Sequence, residues 1–397
     1  MTTIQAARRS KASTFILGAG VLLIAANLRA PFTSVAPLLD TIRATFALNM
    51  AQAGMLTTLP LLTFAAISPF SARLAREYGL ERALFGALIL MAGGIAIRSL
   101  GPVWCLYLGT LGMGAGIAIG NVLLPSLVKR DFPQSVAMLT GAYVVTMGVA
   151  AAIASMLVVP LARIPAIGWQ FALGAAILLP LATILLWLPQ LASHTRPAVD
   201  TASPPHARHI WHSALAWQIT LFMGLNSTIY YVVVGWLPSI LADSGYSATQ
   251  AGSIHGLMQF ASALPGLFIG LVVVRLKNQK MLAAGASLLA ALSFAGLLVR
   301  PDAAALWVIC FGIGSGTVII LSLIFFVLRT RTPQDAAALS GMAQGLGYLL
   351  AAAGPAVAGL LHDGSGGWGL PLIICIGLSI MMMAAGYLAG RPLQIQS

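Results

Sequence analysis

Asn27 and Arg29 stand two residues apart in the middle of residues 21–39, VLLIAANLRAPFTSVAPLL, an otherwise apolar run. A membrane-crossing helix needs about 20 apolar residues, and a charge at its centre costs at least ~2.5 kcal/mol. No Asp or Glu in the run neutralises the guanidinium. An arginine so placed offers a planar fork of donors, suited to an anion or to the oxygens of a nitro group through charge-assisted hydrogen bonds. The competing reading is an arginine satisfied by helix carbonyls and polar neighbours, holding helices together. Snorkelling is disfavoured, because Arg29 lies roughly 15 residues, or ~22 Å of helix, into the run.

Other polar residues in apolar runs come in helical pairs. His255 with Gln259, Asn226 with Tyr230, and Gln344 with Tyr348 are each spaced i,i+4 and so share a helix face. Most can both donate and accept hydrogen bonds, as can neutral His255, which suits a small planar heterocycle or a linear anion. Asn121 and Tyr143 (with Thr146) are further candidates for substrate contact, and Thr57 and Thr58 weaker ones. Tyr230, Tyr231 and Phe260 are candidate walls for a stacked ring, whereas Trp236 reads as packing or an interfacial anchor. For each Asn or Gln the alternative is an interhelical hydrogen bond worth under ~2 kcal/mol.

Proton-coupled carriers place carboxylates in the membrane, but all nine acids here fall at the ends of apolar runs or between them. His255 is the embedded group that titrates near neutral pH, and is therefore the candidate for proton coupling, with Asp40 as a second. No catalytic pair is apparent at depth. Cys105, Cys310 and Cys375 sit in apolar runs at unrelated spacings, which indicates neither a disulfide framework nor a metal site. No cofactor is expected.

The elements that must position these residues are membrane spans. The chain is 59% hydrophobic and 8% charged, against about 25% charged in soluble domains. Twelve spans are predicted, at about 14–39, 49–72, 82–100, 103–128, 136–161, 168–190, 213–241, 247–274, 280–299, 303–328, 335–361 and 368–389. The basic start followed by an apolar run resembles a signal peptide, but the run exceeds an h-region and reads as an uncleaved first span. Of the Lys and Arg residues outside Arg29, sixteen fall on the side of the termini and four, Arg43, Arg98, Arg163 and Arg300, on the other. The positive-inside rule then puts both termini in the cytoplasm. Arg98 and Arg300 end spans and are expected to snorkel. The net charge of +12 is thus topological, and nucleic acid is not an expected partner.

Residues 191–212, polar and rich in Pro and His, divide the spans six and six. Their histidines fit no standard metal spacing, and a solvated linker is expected. The expected organisation is a bundle over 1–192, a linker over 193–212 and a second bundle over 213–397. The halves repeat: RDFPQSVAMLTG at 130–141 answers TRTPQDAAALSG at 330–341. At the same offset Gly112, Gly114 and Gly116 answer Gly312, Gly314 and Gly316. Gln52-Ala53-Gly54 likewise echoes Gln250-Ala251-Gly252. Parallel six-helix repeats mark transporters that rock two bundles about a central site. The glycines allow the close helix approach such packing needs.

Taken together, the spans, repeat and linker resemble the major facilitator superfamily. Within it, Asn27 to Leu39 (NLRAPFTSVAPLL) is similar to the first span of the cyanate transporter family. APLLDTIR at 36–43, KRDFP at 129–133, SIHGL at 253–257 and ALSGMAQ at 338–344 resemble its 2-nitroimidazole exporter branch. The resemblance implies an all-α integral membrane protein of twelve transmembrane helices in two pseudo-symmetric six-helix bundles. It further implies a cavity lined by spans one, two, four, five, seven, eight, ten and eleven, and a bacterial inner membrane. Two departures stand out. The superfamily's acidic and basic loop between spans two and three, which carries its helix-locking charge relay, reads AREYGLER at 75–82, with its acid displaced and basic positions lost. The glycine-proline motif of drug/proton antiporters is absent, since neither Gly141 nor Gly148 precedes a proline.

The expected function is transport of a small anionic or electron-rich solute, 2-nitroimidazole-like or cyanate-like, by rocker-switch alternating access with Arg29 as the binding cation. The expected partners are that solute and the lipid bilayer, and a monomer is expected. A drug/proton antiporter is the alternative, and a membrane-embedded enzyme or sensor a remote one.

Overall fold

The computed structural model describes residues 11–132, 134–164, 168–192, 208–331 and 333–395. Every regular element among them is helical. Eleven helices are long and apolar enough to cross a membrane, or twelve if the bent pair Ala248–Leu267 and Ile269–Arg275 counts as one span. That pair turns by 41° next to Pro265, Gly266 and Gly270, residues that interrupt or weaken a helix. We number the spans one to twelve, the bent pair being span eight. Most of the linker, with His194 and His206, lies outside the described residues, as does the chain before Lys11; Arg208–His212 forms a short helix.

Span one, Phe15–Phe46, is not the continuous helix its hydropathy predicts, and it runs well past residue 39. Helix Lys11–Asn27 stops at Leu28 and Arg29, a short turn Ala30–Thr33 follows, then a 3-10 turn Ala36–Leu38, then helix Leu39–Phe46. Prolines explain the breaks. Pro31 and Pro37 lack the N–H that would continue the ladder, and their rings clash with the carbonyl four residues back. Pro31 sits where proline is favoured, at the start of its short turn. Arg29 takes φ −131°, ψ −44° at the break, so its side chain leaves the axis differently from that of a helical residue.

The helices form two sets joined along two seams: spans two (Met50–Tyr78) and eleven (Pro333–Ser365), and spans five (Val136–Ala162) and eight. Span seven, Ala214–Asp243, is 83% buried and span six, Gly168–Ala192, only 28%, which places the former at the centre and the latter at the periphery.

The sequence echo at Gln52 and Gln250 has a physical basis. Asn49 with Gln52 and Ser247 with Gln250 each complete a reciprocal capping box that starts spans two and eight. Two residues on, Gly54 and Gly252 lie in the seams. A Cβ on Gly54 would stand 2.9 Å from the Pro355 carbonyl oxygen, and one on Gly252 2.9 Å from that of Ser155. Each repeat therefore encodes a helix start followed by a glycine that admits the opposite half.

Four hydrogen bonds tie the halves on one side of the centre. The Met50 N–H donates to Asp363 Oδ2 (3.1 Å), Ser239 Oγ to Asp40 Oδ1 (3.1 Å), and Thr58 Oγ1 to the Ala352 carbonyl (2.8 Å). His255 Nδ1 pairs with Ser155 Oγ (3.0 Å). All four lie toward the end bearing residues 40, 50, 239 and 363.

The displaced acid of the loop between spans two and three is engaged. Glu81, buried at the start of span three (Leu80–Arg98), meets Arg130 Nη2 at 2.7 Å, and Arg130 also holds Asp131 at 2.7 Å. Trp187 Nε1 donates to the Glu81 carbonyl, 3.1 Å. The relay thus survives in shifted form, locking spans three, four and six. In the second half, Arg329 similarly donates to Gln279 Oε1 (2.5 Å) and the Ala389 carbonyl (3.0 Å).

Arg98 contradicts the expected snorkelling. It is fully buried, donating through Nη1 to the Pro31 carbonyl (2.7 Å) and through Nη2 to that of Leu173 (3.4 Å). Both carbonyls lie at breaks in spans one and six, where the helical ladder is disturbed, so the guanidinium has partners inside that an unbroken helix would not supply. Arg300 does remain at the surface, beside Asp302 at 3.2 Å.

Candidate functional site

A cavity of about 250 Å³ lies where the two halves meet. Its lining comes from spans one (Leu28, Arg29, Phe32, Thr33), two (Phe64), four (Asn121), five (Val144, Met147), seven (Asn226 to Val234), eight (Ser262), ten (Ser315 to Leu323) and eleven (Tyr348). These are the eight spans that the resemblance implies.

Arg29 is brought there by the break in span one. Its Nη2 donates to the Tyr230 hydroxyl, and the guanidinium carbon lies 5.1 Å from the centre of the Tyr230 ring. Tyr230 in turn donates to Gln259 Oε1, 2.7 Å. One cation is thus held at the cavity wall by neutral groups. No carboxylate lines the cavity, and among the described residues no ion pair to Arg29 is recorded. A half-buried arginine with no ion pair recorded among the described residues leaves its positive charge uncompensated at the site where a solute can sit.

The walls are aromatic. Phe32 meets Tyr231 edge-on at 5.8 Å, Tyr231 meets Tyr230 at 5.4 Å, and Phe64 meets Tyr348 at 6.0 Å. Edge-to-face contacts hold each ring at a fixed angle and so give the cavity stiff, flat sides.

Of the residues singled out in the sequence, Arg29, Asn121, Asn226, Tyr230, Tyr231 and Tyr348 line this cavity. The others lie elsewhere. Asn27 turns away, its amide donating to the Leu23 carbonyl and to Thr183 Oγ1 of span six, both at 2.8 Å. Gln344 donates to Ser340 on its own helix, 2.8 Å, and Tyr143 is not among the lining residues. His255 and Gln259 stand behind Tyr230, both 0% exposed. His255 Nε2 lies 3.1 Å from the Val234 carbonyl. That carbonyl can only accept, so Nε2 carries a proton, while Nδ1 lies 3.0 Å from the Ser155 hydroxyl. Thr58 serves a seam, and Trp236 is buried, donating to the Pro355 carbonyl at 2.7 Å.

Sequence reasoning missed Phe32, Phe64, Thr33, Ser227, Ser262 and Ser315. Ser315 lies within the glycine run of span ten and Phe32 follows Pro31, which are faint signals. A phenylalanine or serine in an apolar helix otherwise carries no mark of which face meets a cavity.

Comparison with known proteins agrees with this architecture. The Major Facilitator Superfamily profile matches residues 17–355. The 2-nitroimidazole transporter of Escherichia coli (strain K12) is 53% identical over 381 residues, 96% of this chain and 97% of that protein. The cyanate transport protein of the same organism is 27% identical, covering 91% and 95% of the two chains. Among solved structures, a bacterial homologue of the human lysosomal transporter Spinster, inward-facing and unoccupied, superposes with a TM-score of 0.76 at 16% identity, over 97% and 98% of the chains. The chain belongs to the Major Facilitator Superfamily: it is a multi-pass membrane transporter of small solutes and not an enzyme.

Proposed function

We propose that this transporter carries a small electron-rich or anionic solute, 2-nitroimidazole-like or cyanate-like, by alternating access, and that the solute docks on Arg29. The observation that carries the proposal is the arginine itself: a cation at the break of span one, in an aromatic-walled cavity whose lining holds no acid. Tyr230, Tyr231, Tyr348, Asn121 and Asn226 complete the binding surface. His255, one shell behind, is the candidate for any proton coupling, because it is an embedded imidazole that bridges spans five and eight.

The halves 1–192 and 213–397 act as the two moving bodies, joined by the linker. With both termini in the cytoplasm of a bacterium and the membrane its inner one, the hydrogen-bonded end faces outward. The described conformation is then open to the cytoplasm. A solute that neutralises Arg29 lowers the cost of enclosing the charge, since burying an unpaired cation is strongly unfavourable. Closure around the loaded site becomes easier than around the empty one, which is the condition for solute-dependent exchange of access.

Purified protein in liposomes tests the reading by flux of 2-nitroimidazole, cyanate, 4-hydroxybenzoate and a lipophilic organic cation, with and without a pH gradient. Transport of at least one nitro or anionic solute and none of the cation is expected. Gradient-driven flux of the cation alone would instead establish the drug/proton antiporter.

A further inference from the structure

Tyr231 and Tyr348 line the cavity from spans seven and eleven, and no hydrogen bond to either hydroxyl is recorded among the described residues. Both residues are half-buried, and neither hydroxyl oxygen is among the unpartnered polar atoms sealed from solvent. The two hydroxyls are therefore open to the cavity. Tyr230 differs, because it accepts from Arg29 and donates to Gln259. Arg29, Tyr231 and Tyr348 lie within electrostatic reach of one another. The two rings are also held in place: Tyr231 stands edge-on to Phe32 and Tyr348 edge-on to Phe64. Each pair joins a phenylalanine of the first half to a tyrosine of the second.

A guanidinium can only donate, whereas a phenol can donate or accept. With no carboxylate in the lining, no charged acceptor of the cavity itself claims the hydroxyl hydrogens. A planar group with two oxygens, a carboxylate or a nitro, directs lone pairs to both sides at once. It can meet a cation with one oxygen and hydroxyls with the other. The volume of about 250 Å³ falls below the ~300 Å³ at which pockets for drug-sized ligands begin, which leaves room for a single ring behind that head group. We infer that Tyr231 and Tyr348 donate their hydroxyls, beside Arg29, to a two-oxygen head group, so that the cavity takes a monocyclic carboxylate or nitro compound. Arg29 belongs to the first half and both tyrosines to the second, so the bound head group itself ties the halves at the centre. This inference rests on the docking of the solute at Arg29 and adds the donors that read its head group.

Matched pairs of probes test it: benzoate against benzaldehyde, and 2-nitroimidazole against imidazole-2-carbaldehyde. Each pair keeps the ring and exchanges a two-oxygen head for a one-oxygen head. Binding to the full chain in lipid nanodiscs is measured at a pH that keeps 2-nitroimidazole neutral. The wild type should prefer the two-oxygen member of each pair. Tyr231→Phe and Tyr348→Phe keep the ring and its edge contact and remove only the hydroxyl. Each should weaken benzoate about 10-fold, where the lost bond is charge-assisted, and 2-nitroimidazole about 3-fold, where it is neutral. The one-oxygen members should change by less than about 2-fold, and their retained binding shows that the variant is folded. A merely structural role would weaken both members alike; a ratio preserved in either variant overturns the inference. Equal binding of both members of each pair by the wild type overturns it without any variant. If Arg29→Gln weakens the two-oxygen probes while both tyrosine variants keep the ratio, this inference alone fails. If no probe binds, or Arg29→Gln binds them as the wild type does, the docking reading fails with it.

Discussion

Arg98 reaches two carbonyls, Pro31 and Leu173, that belong to the interrupted stretches of spans one and six. Arg29, at the break beside Pro31, instead has the Tyr230 hydroxyl and ring as its recorded partners among the described residues. The same residue type is thus a structural brace in one place and an unfilled cation in the other, decided by whether disturbed helix carbonyls are within reach. Arg98→Ala leaves those carbonyls without their donor and should cost about 2 kcal/mol, read as a lower midpoint of thermal unfolding in detergent. Arg300→Ala, at the surface, should leave the midpoint unchanged. Equal effects of the two substitutions would contradict the bracing role. Span-end position made Arg98 read as a snorkelling residue, because nothing in hydropathy says where a neighbouring helix breaks. Arg29 was legible for the opposite reason: a charge in the middle of an apolar run is expensive wherever the chain goes. Asn27, equally deep, proved to face span six, since the rotation of helix Lys11–Asn27 about its axis is set by packing and not by hydropathy.

Among elements, span one and the two seams carry most of the argument. The breaks in span one follow from Pro31 and Pro37, residues plain in the sequence, yet the run still reads as one continuous span because apolarity does not register a missing hydrogen bond. The repeat was more informative than any single motif. Its Gln-Ala-Gly echo encodes a capping box and a seam glycine in each half. Those glycines are tight: a side chain at Gly54 meets the Pro355 carbonyl at 2.9 Å and Ala356 Cα at 3.1 Å. Gly54→Val should therefore hold the sealed end apart and favour the opposite conformation. A cysteine placed at Ser227, in a background lacking Cys105, Cys310 and Cys375, reports it. Labelling by an impermeant maleimide from the side bearing Asp40 should rise several-fold, and labelling from the side of the termini should fall. Unchanged labelling from both sides would show that the seam is not a gate.

At the scale of the whole molecule, composition and the repeat were enough to predict an all-helical, twelve-span transporter, and the eight cavity-lining spans agree with the family resemblance. The cavity's finer makeup was less legible. The polar pairs His255–Gln259 and Gln344–Tyr348 share helix faces as expected, but only Tyr348 of these four residues reaches the cavity. Helix period gives the face, whereas the tilt and rotation of each span set which turn of that face meets the centre. What unites the arrangement is a cation with no recorded ion pair among the described residues, between halves tied by hydrogen bonds to one side of it. The most direct measurement is uptake, by proteoliposomes, of whichever nitro or anionic solute the wild type carries fastest, repeated with Arg29→Gln at matched protein density. Loss of the charge-assisted contact should reduce uptake by about 30-fold or more, while the variant remains monodisperse and inserted. Uptake at the wild-type rate would contradict the assignment of Arg29 as the docking cation.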